Sequence, residues 1–489
     1  MALGSVTVTL RILNMLAWIV LARLLDPQDF GLVALAMIVF STTDIFAGLG
    51  MEPAIIHSKQ EPRKIAFPAF VTTSAASLVL FMIIYFAPTF WSNILGTDEL
   101  IPLIRLLSLL ILLDALAIVP RALLKKKLLF RRVSSAKFIA EIVNIATSLL
   151  LVLLGFGLWG LVYAKILSSF VRFIILWVLY PGWDWLRPIP LRRNELQRLL
   201  NFGVRYMGSG LLSFFNSKWD DWLVGRILGP AALGFYTKAY NFTNQIIVGF
   251  NREVIGGVLF PSYATIQDEK QRLSRIYLKS LGVVALVMTP LSMGVLVVAS
   301  EIVPLLLGQK WLPMVVTLQI FALMALVRPL SGSTSPLFKA VGRPEYNLRA
   351  GVVLTIVMAP LIFLLLDFGI NGVAIAVTAA HIIGLLFNMY QLNKLLPGIA
   401  SQMVSAVAPI LLAGSMMMIA VEISKSQLIE FAGGEADAIA LLGMIVVGGL
   451  VYGVAAILMR RDLILETFQL MVAVLRPKSR WVVGGQLDG

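Results

Sequence analysis

From end to end the chain is a succession of apolar runs of about 20 residues, separated by short polar connections. A run of that length crosses the hydrocarbon core of a bilayer as a helix. Apolar positions within each run are continuous rather than alternating. Backbone groups in lipid must be satisfied inside helices or a closed barrel, so helices are predicted. Fourteen spans are expected, at approximately 5–25, 28–50, 66–90, 101–120, 138–155, 157–180, 204–228, 231–256, 280–300, 314–337, 350–367, 370–393, 403–423 and 438–459. Connections such as Asp26-Pro27 and Gly229-Pro230 leave room only for tight helix hairpins. Two further stretches, Leu191 to Phe202 and Asp462 to Leu475, are amphipathic and are expected to lie along the membrane interface.

The pattern repeats. ARLLDPQDFGLVALA (22–36) aligns with GRILGPAALGFYTKA (225–239): Arg23 with Arg226, Leu25 with Leu228, Pro27 with Pro230 and Gly31 with Gly234, all at an offset of 203. GFGLWGLVYA (155–164) aligns with DFGINGVAIA (367–376) at an offset of 212, and Lys127 and Arg131 align with Lys339 and Arg343 at the same offset. Order and spacing hold over six spans. Six is even, so the two copies share one orientation, as in parallel repeats related by an axis along the membrane normal. The expected fold is therefore an all-α integral membrane protein of about 14 transmembrane helices: two six-helix repeats plus two C-terminal helices around a central cavity. The division expected is 5–203 for the N-terminal half, 204–396 for the C-terminal half, 397–459 for the two added helices and 460–489 for a cytoplasmic amphipathic tail.

Composition agrees. Of 489 residues 59% are hydrophobic and 13% charged, where soluble domains carry about 25% charged residues; the mean hydropathy is +0.90. With no cysteine there is no disulfide or thiolate chemistry. The two histidines, His57 and His381, are far apart in sequence, which argues against a histidine-based metal cluster. The net charge of +14 invites a nucleic-acid reading, but its distribution argues for topology instead. With the N-terminus placed in the cytoplasm, 27 Lys and Arg fall in connections on that side, two (Lys310 and Lys425) on the opposite side, and 11 within spans. Lys and Arg accumulate on the cytoplasmic face. The split places both termini there, and the Lys125–Lys127 run reads as an anchor against anionic headgroups.

The charges inside the spans carry the chemistry, because a charge at the bilayer centre costs at least about 2.5–3.5 kcal/mol and so faces a cavity or a partner. The stretch FNSKWDDWLVGRILGP (215–230) holds Lys218, Asp220, Asp221 and Arg226. Lys218 and Asp221 are three apart and positioned to pair. Lys238, Asn241 and Gln245 form one stripe, with Arg252 two turns on; Arg11 and Asn14 lie in the first span, and Ser41, Thr42 and Asp44 in the second. The first, second, seventh and eighth spans are corresponding pairs of the two copies, where a shared cavity would be lined. Basic groups outnumber acidic ones, which suits an anionic substrate such as a phosphate or diphosphate. The candidate cavity residues are Arg11, Asn14, Lys218, Lys238, Asn241, Gln245 and Arg252. The candidate ion-coupling carboxylates are Asp44, Glu141, Asp220 and Asp221. Trp18, Trp219 and Trp222 stand near them, to stack on sugars or to border lipid. Arg23 and Arg226 are expected to cap the C-terminus of the helix that each ends.

LARLLDPQDFGLVALA, the two glycine turns and the 6+6+2 layout resemble the polysaccharide-transporter family of the multidrug/oligosaccharidyl-lipid/polysaccharide exporter superfamily. The resemblance implies a flippase that moves oligosaccharide linked to undecaprenyl diphosphate from the cytoplasmic to the outer leaflet of a bacterial inner membrane, for exopolysaccharide, capsule or O-antigen. It implies arginines in diphosphate binding and a role for a second-span aspartate, for which Arg11 and Asp44 are the nearest matches. Polysaccharide polymerases and glycosyltransferases are the expected neighbours; nucleic acid is not. No cofactor is expected, and without a P-loop the energy would come from an ion gradient or the membrane potential. Members often carry a longer basic stretch before the first span, so an upstream start is expected. Three rivals are a channel or structural scaffold, an ion-coupled small-molecule exporter of the same superfamily, and a membrane glycan polymerase or ligase. The last would need convergent polar groups in outer connections, which are short here.

Overall fold

In a computed structural model, residues 2–188, 193–245, 263–431 and 437–475 are described, and they are helical almost throughout. The helices are α1 (Ala2–Leu24), α2 (Pro27–Ala47), α3 (Met51–His57), α4 (Pro62–Phe86), α5 (Pro88–Leu95), α6 (Leu100–Leu107), α7 (Leu109–Lys126), α8 (Phe130–Leu153), α9 (Leu158–Leu179), α10 (Arg193–Leu223), α11 (Pro230–Thr243), α12 (Lys270–Leu307), α13 (Val315–Gly332), α14 (Thr334–Ala340), α15 (Glu345–Leu365), α16 (Gly369–Leu395), α17 (Ile399–Phe431) and α18 (Ala438–Leu475). Among the described residues ten helical stretches are long and apolar enough to cross a membrane, and Glu345–Leu395 is long enough for two of the expected spans. The other three expected spans correspond to α1, whose apolar part is Ile12–Leu24, to α10, which carries the charges, and to α11, which ends close to the undescribed residues 246–262. The chain is a multi-pass, all-helical membrane protein.

Local chemistry explains the boundaries. Pro27 and Pro230 sit at the first position of α2 and α11, where the missing amide hydrogen costs nothing and the fixed φ favours a start. Asp29 Oδ2 accepts the Asp26 amide at 3.0 Å and closes the first turn of α2. Before Pro230, α10 loosens into a π turn over Val224–Leu228 and Gly229 takes φ +91°, a conformation suited to glycine. Some hydroxyls inside spans return to their own helix, Thr43 to the Val39 carbonyl and Thr237 to that of Leu233.

The chain forms two compact units. The first comprises residues 1–245, 302–318 and 354–377. One of its cores gathers Ile55, Ile65, Leu123, Leu176 and Trp185 from α3, α4, α7, α9 and the turn after α9. Beside it Glu52 takes Lys125 Nζ at 2.6 Å and Arg121 at 2.7 Å, tying α3 to α7. The second unit comprises 246–301, 319–353 and 378–489. Its interior holds Tyr277, Phe321 and Phe338, all fully buried, and Lys425 on α17 meets Glu301 on α12 at 2.6 Å.

Within the first unit the two copies of the repeated hairpin meet. A Cβ placed on Gly31 would lie 1.7 Å from the Pro230 carbonyl oxygen, and one on Gly234 would lie 1.9 Å from that of Pro27. α2 and α11 thus cross backbone to backbone at residues related by the 203 offset, and the contact is reciprocal. Arg23 departs from expectation. Its guanidinium donates to the carbonyls of Leu305 and Leu306, at the C-terminus of α12, not to the helix it ends. A cation at a helix C-terminus is the expected chemistry, but chain packing selects a different helix. Lys310 pairs with Asp26 at 3.2 Å beside it. Lys310 and Lys425, the two basic residues that the sequence set apart from the others, are both ion-paired.

Candidate functional site: a cationic cavity in the first unit

Beside the α2–α11 crossing lies a cavity of about 340 Å³. α2 lines it with Phe30, Val33, Ala34, Met37 and Ser41, a single face at steps of three and four. α11 adds Thr237, Lys238, Tyr240 and Asn241, α10 adds Lys218 and Asp221, and α1 adds Trp18. Two lysines and one aspartate face the space, so basic side chains outnumber acidic ones.

Lys238 is the unusual member. Its side chain is buried, at 3% exposure, and Nζ has no hydrogen-bond partner among the described residues. Three rings surround it, with centroids at 3.2 Å (Phe30), 4.2 Å (Trp18) and 5.5 Å (Trp311). The rings are held in turn: Trp311 Nε1 donates to the Ala22 carbonyl at 2.8 Å, and its indole meets Phe30 and Phe235 edge-on. A desolvated cation gains about 2 kcal/mol from an aromatic face. Removing an ammonium from water costs several kcal/mol. Three such contacts are of the same order as that cost, yet they supply no hydrogen-bond acceptor, so Nζ keeps unsatisfied donors beside a cavity. An anion entering there would find three hydrogen-bond donors.

Asp221 is 8% exposed at its side chain and receives Lys218 Nζ at 2.7 Å, whereas Lys218 keeps 42% exposure. The predicted pairing is present, and Lys218 presents its head to open space while Asp221 anchors it. Asp220 is also buried and accepts the Tyr236 hydroxyl at 2.7 Å. It stands behind the cavity wall, not in it.

Of the residues singled out from sequence, Lys218, Lys238, Asn241 and Asp221 come together around the cavity. Asn14 is half-buried on α1 and Gln245 is exposed beyond the end of α11; neither is among the lining residues. Asp44 lies nearly one turn past Ser41 and has Asp114, Arg121, Arg172 and Glu52 as its electrostatic neighbours. It belongs to a second polar group inside the first unit, in which Asp114 accepts from Ser169 and Arg172. Glu141 is half-buried on α8. Arg252 lies outside the described residues, as does the side chain of Arg11. The rings of Phe30 and Trp311 and the Tyr236 hydroxyl were not singled out from sequence. Phe30 is the aromatic residue of the hairpin signature itself, the one signal available for it. Among the described residues no group of three or more His, Asp or Glu is arranged to hold a metal ion. The cavity has the means to bind and orient a ligand.

Comparison with known proteins gives a consistent answer. A family described as "Polysaccharide biosynthesis protein" matches residues 20–316. The lipopolysaccharide biosynthesis protein WzxC of Escherichia coli (strain K12) is 25% identical over 358 residues, 72% of this chain and 71% of that one. The succinoglycan biosynthesis transport protein ExoT of Rhizobium meliloti (strain 1021) is 27% identical over 330 residues, 66% of this chain and 65% of that one. Among solved structures, the lipid II flippase MurJ in an inward closed conformation superposes with a TM-score of 0.78 at 16% identity, covering 95% of this chain and 99% of that one. An inward-facing multidrug resistance MATE family transporter of the MOP superfamily superposes at 0.63 with 17% identity, covering 80% and 96%.

Proposed function

Since the chain belongs to the polysaccharide biosynthesis protein family, we propose that it flips oligosaccharide linked to undecaprenyl diphosphate from the cytoplasmic to the outer leaflet of a bacterial inner membrane, supplying a surface polysaccharide. It is a transporter and not an enzyme, as its relatives' names and its fold indicate. The single observation that supports the substrate class best is Lys238: a buried lysine Nζ with no hydrogen-bond partner among the described residues, set in rings beside a cavity, where an anion would hold it in its charged form. A diphosphate supplies the missing acceptors, and the neighbouring Lys218 adds a second cation. The isoprenoid tail stays in lipid while the charged headgroup crosses through the protein. Cationic lining disfavours the cationic compounds that a drug exporter would carry.

In this reading the halves 5–203 and 204–396 alternate access, and the α2–α11 crossing is the contact that seals one side. Both termini face the cytoplasm. Arg11, Asn14, Asn241, Gln245 and Arg252 join Lys218 and Lys238 in handling the headgroup. Asp44, Glu141, Asp220 and Asp221 are the carboxylates through which an ion gradient acts. The protein works beside a glycosyltransferase and a polymerase. Lys238→Ala or Arg11→Ala is expected to abolish surface polysaccharide with membrane protein levels unchanged; normal polysaccharide in both variants would overturn the assignment.

A further inference from the structure

A second cavity, of about 470 Å³, lies wholly within the second unit, where α12, α17 and α18 come together. That volume falls within the roughly 300–1,000 Å³ of ligand sites. Its polar wall carries Arg275 and Lys279 from α12, Gln402 and Ser405 from α17, and Arg460 and Asp462 from α18. Three cations face one carboxylate. The floor is apolar: Leu463 sits over Gly282, where a Cβ would lie only 3.0 Å from the leucine Cδ2, so the glycine makes room for it. Leu463 reaches this place because α18 breaks at Arg460, whose φ of −142° and ψ of 45° are not helical.

The depth of this cavity in the membrane can be read from the sequence. On α12 the last basic residue before the apolar run is Lys279; on α17 the run begins after Gln402; on α18 it ends at Met459, one residue before Arg460. All three helices therefore change from polar to apolar at the cavity. A pocket at that level, cationic above and apolar below, has the two halves that a phospholipid presents at its phosphate and glycerol region. Basic pockets between helices on the cytoplasmic side are the form such recognition takes.

We propose that this cavity binds the phosphate headgroup of an anionic phospholipid. Arg275, Lys279 and Arg460 hold the phosphate oxygens, Gln402 and Ser405 supply neutral hydrogen bonds, and the acyl chains leave past Leu278 and Leu463 into the bilayer. Asp462 opposes the anion and sets its affinity below what three cations alone would give. The site shares no lining residue with the Lys238 cavity and does not depend on the transported substrate.

The test uses the full chain purified in neutral detergent and titrated with phosphatidylglycerol, phosphatidylcholine or sodium phosphate, with the thermal midpoint as readout. Phosphatidylglycerol is expected to raise the midpoint saturably, and the other two are not. Each cation removed from Arg275→Gln/Lys279→Gln/Arg460→Gln is expected to raise the half-effect concentration roughly fivefold. Asp462→Asn lowers it by a similar factor, and Lys137→Gln on α8, remote from the cavity in sequence and in a different unit, leaves it unchanged. A triple variant that responds like the wild type would overturn the proposal. So would an equal response to sodium phosphate alone, or an equal loss in Lys137→Gln. If the triple variant fails to fold, Asp462→Asn decides, and an unchanged half-effect concentration there overturns the site.

Discussion

Gly31→Ala adds one methyl group at the point where α2 passes Pro230, and its consequence can be worked from the distances. The new Cβ would lie 1.7 Å from a backbone carbonyl oxygen, while ordinary contacts begin near 3.4 Å. The helices must therefore separate by about 1.7 Å locally, the difference between those two values. Because the obstacle is backbone, no side-chain rotation relieves it. Overpacking of this kind costs about 1–3 kcal/mol, and the upper end applies here. Alanine returns about 1 kcal/mol through helix propensity. The net cost of about 2 kcal/mol corresponds to roughly a thirtyfold change in an equilibrium constant. Gly234→Ala meets the Pro27 carbonyl oxygen at 1.9 Å and should behave alike. Once one substitution has opened the crossing, the second costs less, so the double variant is expected to fall short of the sum. Gly294→Ala on α12 meets nothing within 4 Å and serves as the control, with a rise in thermal midpoint. Thermal midpoints in detergent, read beside surface polysaccharide in cells, test the reasoning: both crossing variants fall in midpoint and in export. If Gly31→Ala and Gly234→Ala raise the midpoint as Gly294→Ala does, the close reciprocal crossing is refuted.

Three further predictions follow from the charges. Lys238→Met replaces a buried Nζ that has no hydrogen-bond partner among the described residues, so thermal stability should rise while export is lost; a fall in both would mean that Lys238 is structural. Lys218→Met leaves the buried Asp221 without its partner; because Lys218 is 42% exposed, the cost falls below the about 3–5 kcal/mol of a fully buried pair; the double variant Lys218→Met/Asp221→Asn should recover most of the lost midpoint, and failure to recover would deny the pairing. The two ion pairs of Lys310 and Lys425 differ in burial: Asp26 is 76% exposed and Glu301 only 8%. Thermal melts should therefore show about 0–1 kcal/mol for Lys310→Ala and about 3–5 kcal/mol for Lys425→Ala; equal effects would contradict the burial argument.

The spans were legible because lipid imposes one rule on every helix, that of a long continuous apolar run. The hairpin repeat was legible because Pro27 and Pro230 use the same device, an absent amide at a helix start. What the offset of 203 cannot reveal is that the two copies touch each other at Gly31 and Gly234. Equivalence is a property of sequence, and contact is a property of packing. Arg23 shows the same limit. Its preference for a helix C-terminus follows from charge, but the choice of Leu305 and Leu306 depends on chain folded nearly three hundred residues away. Lys238 was identified by its charge in an apolar run. Its cage was not, because Trp311 comes from a distant segment, and an aromatic residue in a membrane sequence gives no sign of which neighbour it will cover. Asp44 was grouped with Ser41 by span, and less than one helical turn separates them, yet Ser41 faces the cavity while Asp44 joins the group around Asp114 and Arg172.

The central claim concerns which leaflet the substrate leaves. Cells lacking the protein, complemented with wild type or with Lys238→Ala, can be assayed for lipid-linked oligosaccharide accessible from each side of the inner membrane. The account predicts accumulation on the cytoplasmic side, with loss of one surface polysaccharide, in the deletion and in the Lys238→Ala strain. Normal polysaccharide with altered sensitivity to small cationic compounds, or accumulation on the outer side, would contradict it.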